Sequence, residues 1–413
     1  MSKIKDISLQ KSGKQKIEWI KSYMPVLNLI EKEFEQTKPF AGKKISMSIH
    51  LEAKTAYLAH VLRAGGAEVF VTGCNPLSTR DDVAASLVAD GFTVHAIYGA
   101  SMAEYEEHLI ATLSNCPDLM IDDGGDFTNL LHNNHTDLAK NLIGGSEETT
   151  TGIHRLKSLS KAGKLKFPMI AVNDADCKYL FDNRYGTGQS TFDGIMQATN
   201  LIIAGKIFVV AGYGWCGRGI AMRAKGMGAV VVVTEIDSIK ALEAKMDGFL
   251  VMPMAEAAKI GDIFVTVTGC KDVIVKEHFE VMKNGAVMCN SGHFDVEVNK
   301  IDLTELAAEV IERKENIVGY KMHDGRILNL IAEGRLVNLA AGNGHPAEIM
   351  DMSFALQAKS LEYLAKNGKS LSPAVYDVPK ELDKEVGRLK LAAMGTKIDA
   401  LTPEQEKYLH GDY

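Results

Sequence analysis

Residues 206–235 read KIFVVAGYGWCGRGIAMRAKGMGAVVVVTE, and this stretch decides the fold. Residues 207–211 form a short apolar, β-branched run, the pattern of a strand buried on both faces. The run ends in Gly212, Gly214 and Gly217, spaced GxGxxG, and a helix carrying Ile220, Ala221 and Met222 follows. A second apolar strand over 229–233 leads to Glu235. The first glycine permits a tight turn, the second lets a pyrophosphate approach the backbone, and the third lets helix pack closely on strand. Phosphates would lie at the helix N-terminus, where free N–H groups and the dipole favour anions. Glu235 is placed to accept from both ribose hydroxyls and to repel a 2′-phosphate, so the unit reads as an NAD site rather than an NADP site. Three glycines near a strand often mark only a turn; here strand, helix, second strand and terminal acid arrive in register.

The whole chain of 413 residues is too long for one typical domain. A hydrophobic content of 46% with 24% charged residues is that of a globular protein able to bury full cores. A net charge of −7 and the lack of a long basic run argue against a nucleic-acid partner. No apolar run approaches the length of a membrane span, and the start MSKIKDISLQKSGKQ is too polar for a signal peptide, so a cytoplasmic location is expected. Six cysteines are scattered without a CxxC pair, which fits reduced thiols rather than a zinc site or a disulfide framework, and no metal is expected.

Outside the central unit, apolar positions at Ile17, Trp19, Ile20, Met24, Leu27 and Ile30 predict a packing helix broken near Pro25. From Lys44 a second α/β pattern begins, with strand-like runs at 45–49, 69–72, 94–97, 119–121 and 168–172 alternating with helix-like ones. Such alternation builds a doubly wound parallel sheet with ligands along the strand C-termini. His50, Glu52, Asn75, Ser78, Thr79, Asp122, Asp123, Asp126, Asn173 and Asp174 all follow those strands. Residues 183–190 read as a crossing segment with a hinge at 185–188, and Gly342 and Gly344 as a return crossing. The helix over 349–364 packs back on the first half. The reading is therefore α/β, two doubly wound parallel-sheet domains joined by a hinge. A substrate domain spans 1–184 and is completed by 346–394, an NAD domain spans 185–345, and a tail occupies 395–413.

Taken singly, the polar candidates are unremarkable in chemistry. His50 at a strand end reads first as a structural hydrogen-bonder. Residues 146–151, SEETTT, read as a capped helix start with solvated acids, and residues 122–126, DDGGD, as a metal loop or a binder of sugar hydroxyls. Lys178 reads as a surface lysine paired with Asp182 at i+4.

Together, however, SIHLEAKTA, CNPLSTRDD, DDGGD, SEETTTG, VND with KYLFDNRYG, VAGYGWCGRG, VTVTGC, NSGHFDVE, AEGRLVNLAAGNGHP and MDMSFA run along nearly the whole chain in one order. That series closely resembles the S-adenosyl-L-homocysteine hydrolase family. The resemblance implies tightly held NAD, transient oxidation of the ribose 3′-hydroxyl, elimination of homocysteine from C5′, addition of water and re-reduction, with no net redox change. It implies a small nucleoside thioether as substrate and a homotetramer. Position by position, Lys178 and Asp182 match the pair at the 3′-hydroxyl, Asn183 a neighbour that holds Lys178, and Glu148 the acid on the ribose hydroxyls. A lysine so placed is expected to have its pKa moved toward the working range. His50 and Asp123 match the groups near C5′. Glu52, Lys54, Thr55, His293 and His345 fall on the substrate side. Thr149, Thr150, Thr151, Gly212, Gly214, Gly217, Glu235, Thr268, Asn290 and Asn338 fall on the NAD side.

Three departures from the family pattern stand out. Glu52 and Lys54 occupy positions where many members carry Thr and Glu to read adenine. Hypoxanthine accepts at O6 where adenine donates, so a lysine there suits an inosyl substrate, while Glu52 can accept from the adenine amine. Thr187 stands where a cysteine is common, and residues 401–413, LTPEQEKYLHGDY, stop short of the extended tail of many members. Two rival readings are a net hydroxy-acid dehydrogenase, which would accumulate reduced cofactor, and a silent NAD-binding protein, which would lack Lys178, Asp182 or His50.

Overall fold

The computed structural model describes residues 2–411, so Met1 and the last two residues of the 395–413 tail, Asp412 and Tyr413, lie outside it. The first sheet is parallel throughout. Its strands are β1 (Lys44–Ser48), β2 (Glu68–Thr72), β3 (Thr93–His95), β4 (Leu119–Asp122), β5 (Gly144–Glu147) and β6 (Met169–Ala171), and it is completed from far along the chain by β15 (Val375–Asp377). The order is β15-β6-β5-β4-β1-β2-β3. The second sheet contains β7 (Ile207–Ala211), β8 (Val230–Thr234), β9 (Leu250–Val251), β10 (Ile263–Thr266), β11 (Val287–Asn290), β12 (Ala307–Lys314), β13 (Ile317–Met322) and β14 (Ile327–Ile331). Its order is β12-β13-β14-β11-β10-β7-β8-β9.

Strand order reverses between β1 and β4 in one sheet and between β7 and β10 in the other. A crevice opens beyond the strand ends at each such switch point, because neighbouring connections leave to opposite faces. His50 follows β1 and Asp123 follows β4; the glycine loop follows β7 and Thr268 follows β10. The two crevices are where the chemistry collects.

The second sheet is mixed rather than wholly parallel. β12 and β13 form an antiparallel hairpin, and β13 runs antiparallel to β14. The turn falls at Asn316, whose φ of +63° is one that asparagine tolerates. β12 is mostly exposed and charged, as an edge strand needs to be to resist pairing with another chain.

The N-terminal helix pair breaks as expected, into Gln10–Lys21 and Pro25–Thr37 with proline at the first helical position, where its missing N–H is harmless. The helix Ala347–Asn367 is buried along most of its length against the first sheet and the helix Pro25–Thr37. Asp351 on that helix accepts from the backbone N–H groups of Val26 and Leu27 and from Lys390, tying three distant segments together.

Two local expectations change. Residues 183–190 lie where the chain passes from the first sheet to the second, but as helix rather than loop: a π-helical segment Tyr179–Gly186 runs directly into the helix Thr187–Thr199. The glycines there serve close packing instead. A Cβ on Gly188 would stand 2.8 Å from the Gly219 backbone, and one on Gly219 would stand 1.7 Å from the Arg184 carbonyl. Nor are the acids of residues 146–151 solvated, since Glu147 ends β5 and both it and Glu148 are buried. The helix start at Thr150, capped by the Thr149 hydroxyl on the Gly152 N–H, is as expected.

Candidate active site

A cavity of about 760 Å³ lies between the two sheet edges. It is lined by His50, Glu52, Lys54, Thr55, Asp123, Glu148 and Thr149 to Thr151 from one side, and by Gly214, Thr268, His293, Asn338 and His345 from the other. Lys178, Asp182 and Asn183 stand between them. The sides meet at glycines: a Cβ on Gly124 would come within 2.7 Å of the His293 ring, and one on Gly186 within 2.8 Å of the His345 ring.

Lys178 is the best connected group. Its ammonium donates to Asn173 Oδ1 at 3.0 Å and Asn183 Oδ1 at 2.9 Å, with Asp182 Oδ2 at 3.2 Å and Glu148 Oε1 at 3.7 Å. The π winding makes this possible, since its wider turn brings both i+4 and i+5 back over residue i. The lysine is buried, and burial alone would lower its pKa, yet Asp182 and Glu148 together hold it above its ordinary value. The shift is therefore opposite to the expected one, because two carboxylates outweigh desolvation.

Asp182 accepts from Ser353 at 3.0 Å and pairs with Lys178 and with His345 Nδ1. Burial opposes its charge, but Lys178 and His345 hold its carboxyl far below the usual range. Glu148 is pushed up to about 8, by burial first, against the pull of Lys178. Its Oε2 accepts from Gln357, while its Oε1 is buried with no hydrogen-bond partner. Glu148 thus presents an unsatisfied oxygen to the cavity, which a sugar hydroxyl would satisfy.

Around His50 the hydrogen bonds fix a tautomer. Ser78 Oγ donates to the Asn75 carbonyl at 3.0 Å, so at 2.6 Å it accepts from His50 Nδ1, and Nε2 is left as an acceptor. Nε2 lies 3.7 Å from Asp123 Oδ2, which also accepts the Cys74 thiol proton at 3.2 Å. Burial pushes the His50 pKa below its ordinary value despite Asp123 nearby. Of the acids in residues 122–126 only Asp123 lines the cavity. Asp122, raised to about 7 by burial, accepts from Phe127 and Thr128 at the start of the next helix, and Asp126 binds Tyr105 and Arg155.

On the same side, Glu52 Oε2 accepts from Lys54 Nζ at 2.7 Å, and Lys54 also donates to the Asn343 carbonyl at 3.3 Å. Thr55 donates to the His50 carbonyl. Thr187 stands 3.3 Å from His345 Nε2 and donates to Cys216 Sγ at 3.5 Å, so a thiol is present beside position 187, supplied by the glycine loop.

The cofactor half fits a dinucleotide. Gly212 has φ +103°, a Cβ on Gly217 would come within 2.0 Å of the Gly212 carbonyl, and the space at Gly214 is open. The helix Trp215–Gly226 starts there without a side-chain cap, leaving N–H groups free for phosphate. Asn338 lines the cavity with a buried, unpartnered Oδ1, which suits a carboxamide donor. Thr268 donates to Glu297, a buried acid missed from sequence, which also accepts from the Gly269 N–H and so holds that loop.

Four residues expected on the NAD side do not line the cavity: Gly212 and Gly217, which shape the turn, and Asn290 and Glu235. Asn290 bonds to Thr266, Gly292 and Phe294, and so shapes the loop before His293 rather than facing a ligand. Glu235 accepts backbone N–H groups of Tyr213, Ile236 and Asp237, and the lining reaches Lys240 instead. Sequence order also concealed Ser353, Gln357, Cys74 and Glu147. The first two left one trace, polar residues four apart in a stretch, 352–358, that is otherwise Met, Phe, Ala and Leu.

Comparison with known proteins decides the family. Residues 1–138 match the model of S-adenosyl-L-homocysteine hydrolase, and residues 183–344 match that of its NAD-binding domain. The chain belongs to the S-adenosyl-L-homocysteine hydrolase family. It is 58% identical to an adenosylhomocysteinase of Thermococcus kodakarensis, over 98% of this chain and 96% of the relative. It is also 58% identical to an S-inosyl-L-homocysteine hydrolase of Methanocaldococcus jannaschii, over 99% of this chain and 98% of the relative. Among solved structures, a dipicolinate synthase polypeptide from Bacillus halodurans shares the fold at a TM-score of 0.50 and 12% identity, covering 79% of this chain and 99% of that one. As a member of this family the chain is a hydrolase with NAD as cofactor. No helix among the described residues is long and apolar enough to cross a membrane.

Proposed function

We propose that the chain catalyses the reversible hydrolysis of S-adenosyl-L-homocysteine to adenosine and L-homocysteine. The observation that carries this reading is the convergence of Lys178, Asp182 and the unsatisfied Glu148 oxygen on one point of a cavity whose far wall is a dinucleotide loop. NAD, when bound, supplies a reversible two-electron oxidation at the ribose 3′ carbon. The residues do the rest. Glu148 Oε1 takes a ribose hydroxyl, and Lys178, steadied by Asn173 and Asn183, holds and moves the 3′-hydroxyl proton with Asp182 fixing its charge. Once C3′ is a ketone, the C4′ proton is acidic enough for a side chain to remove. His50 Nε2, kept as an acceptor, and Asp123 move protons to the leaving sulfur and from the entering water.

A second reading, S-inosyl-L-homocysteine as substrate, is favoured by Lys54. Glu52 and Lys54 offer an acceptor beside a donor. Adenine presents a donor amine and an acceptor N1, and hypoxanthine an acceptor O6 and a donor N1–H, so the same pair reads either base in opposite order. Condensation of adenosine or inosine with homocysteine separates them. The first reading predicts the larger kcat/KM for adenosine, a tenfold preference for inosine establishes the second, and turnover of neither refutes both.

The same proposal includes a substrate domain at 1–184 completed by 346–394, an NAD domain at 185–345 and a tail at 395–413. It is supported by β15 and the helix Ala347–Asn367 returning to the first sheet. It also includes a homotetramer, supported by the exposed apolar side chains Ile236, Ile239, Leu242 and Met246, and a cytoplasmic setting, supported by six free cysteines.

A further inference from the structure

On its cofactor side the cavity has an aromatic rim that neither the 3′-hydroxyl chemistry nor the proton transfers at C5′ use. Trp215 and Tyr179 both line it, and both are half-buried. Trp215 is the first residue of the helix Trp215–Gly226, directly after Gly214, so it stands beside the N–H groups left free for phosphate. Tyr179 directly follows Lys178 and begins the π segment. Their ring centroids are 5.1 Å apart with the planes tilted by 40°, a favourable aromatic pairing. The indole is also held by Arg218, whose guanidinium lies 4.5 Å from the Trp215 ring centroid and is itself paired with Glu243. The Tyr179 hydroxyl donates to Asp176 Oδ1 at 2.6 Å, which fixes the phenol. Further along, the same two segments meet through their backbones at Gly219 and Arg184, so the rings close the cavity end of a packed seam. The indole N–H, by contrast, has no hydrogen-bond partner among the described residues. It is a donor left over on the wall of a site built for an anion.

We propose that Trp215 and Tyr179 form a clamp that retains NAD, in which the indole covers the pyrophosphate beside the glycine loop and Tyr179 locks the indole against the segment that carries Lys178. The free indole N–H is the group that would donate to a phosphate oxygen. Release of the dinucleotide then requires the ring pair to part, so loss of either ring acts on the dissociation rate. Because Tyr179 and Lys178 are adjacent in the chain, the clamp also fixes the glycine loop relative to the lysine. The clamp rests on this packing and on NAD as the cofactor of the family. Its use, keeping one NAD in place through successive cycles, rests on the proposed hydrolysis.

The test uses the full chain carrying Trp19→Phe, since Trp19 is 64% exposed and Trp215 is then the one tryptophan left. Loading with NAD is expected to quench the Trp215 emission. Dissociation is read by chasing NAD-loaded protein with excess NADH and following the nicotinamide fluorescence of the NADH that binds. Trp215→Ala and Tyr179→Ala are each expected to raise the dissociation rate by about tenfold, and Trp215→Phe, which keeps a ring, by about threefold or less. The double alanine variant is expected to release NAD no faster than the faster single one, because the two rings act as a unit. Unquenched Trp215 emission, a wild-type dissociation rate in either alanine variant, or alanine effects that multiply in the double variant overturn the clamp. Where an alanine variant does not fold, the quenching and the Trp215→Phe rate decide. The same quenching and rate ratios in protein that turns over neither nucleoside leave the clamp standing and remove the hydrolysis reading.

Discussion

Glu148 carries the most revealing charge state in the cavity. Its carboxyl is raised from an ordinary 4.5 to about 8, chiefly by burial, while Asp182 beside the same lysine is held far below its usual range. One lysine between two buried acids cannot neutralise both, so the better bonded Asp182 keeps the charge and Glu148 keeps a proton. The folded ligand-free chain therefore holds a proton on Glu148 that the unfolded chain gives up above about 4.5. A group raised in this way contributes less stability as pH rises from its unfolded to its folded pKa, so its contribution falls from about pH 4.5 to pH 8. Glu148→Gln is predicted to flatten this fall. Thermal unfolding of ligand-free wild type and variant between pH 6 and 9 checks it: the midpoint difference shifts in favour of the variant as pH rises, and parallel curves contradict the assignment. None of this was legible in SEETTTG alone, where two glutamates before threonines read as solvated. Their burial comes from Gln357 and Gly124, residues distant in sequence.

At the scale of elements, most strands and the glycine loop were legible because each is a local pattern; β5 and β15 were not, being short and lacking an apolar run. The helix break at Pro25 and the start at Thr150 were legible for the same reason. The π segment was not. Its glycines and polar residues resemble a hinge, and only the packing of two helices shows that Gly188 and Gly219 are there to let backbones approach. The β12–β13 hairpin escaped as well, since a charged edge strand lacks the apolar run that marks a buried one. Gly219→Ala tests the packing account. Its Cβ would stand 1.7 Å from the Arg184 carbonyl, so the helix Trp215–Gly226 must move, costing about 1–3 kcal/mol as overpacking does and displacing the N-terminus that receives phosphate. A lowered unfolding midpoint with weaker NAD binding is expected, whereas Gly226→Ala, with open space around it, leaves both near wild type. Wild-type values for Gly219→Ala contradict the packing account.

The whole molecule is two sheets whose switch points face each other across one cavity. Sequence motifs placed each crevice, but the facing arrangement depends on contacts between halves, such as His293 against Gly124 and His345 against Asp182. Asn290 and Glu235, candidates by position, bond to the backbone of their own sheet edge and do not line the cavity. The account's central claim is that cleavage of the thioether depends on a dinucleotide held across from Lys178. The most direct measurement strips the dinucleotide from the folded protein and follows condensation of nucleoside with homocysteine before and after NAD is returned. The account predicts that activity is lost and then restored without accumulation of reduced cofactor. Full-rate turnover by the stripped protein would contradict it.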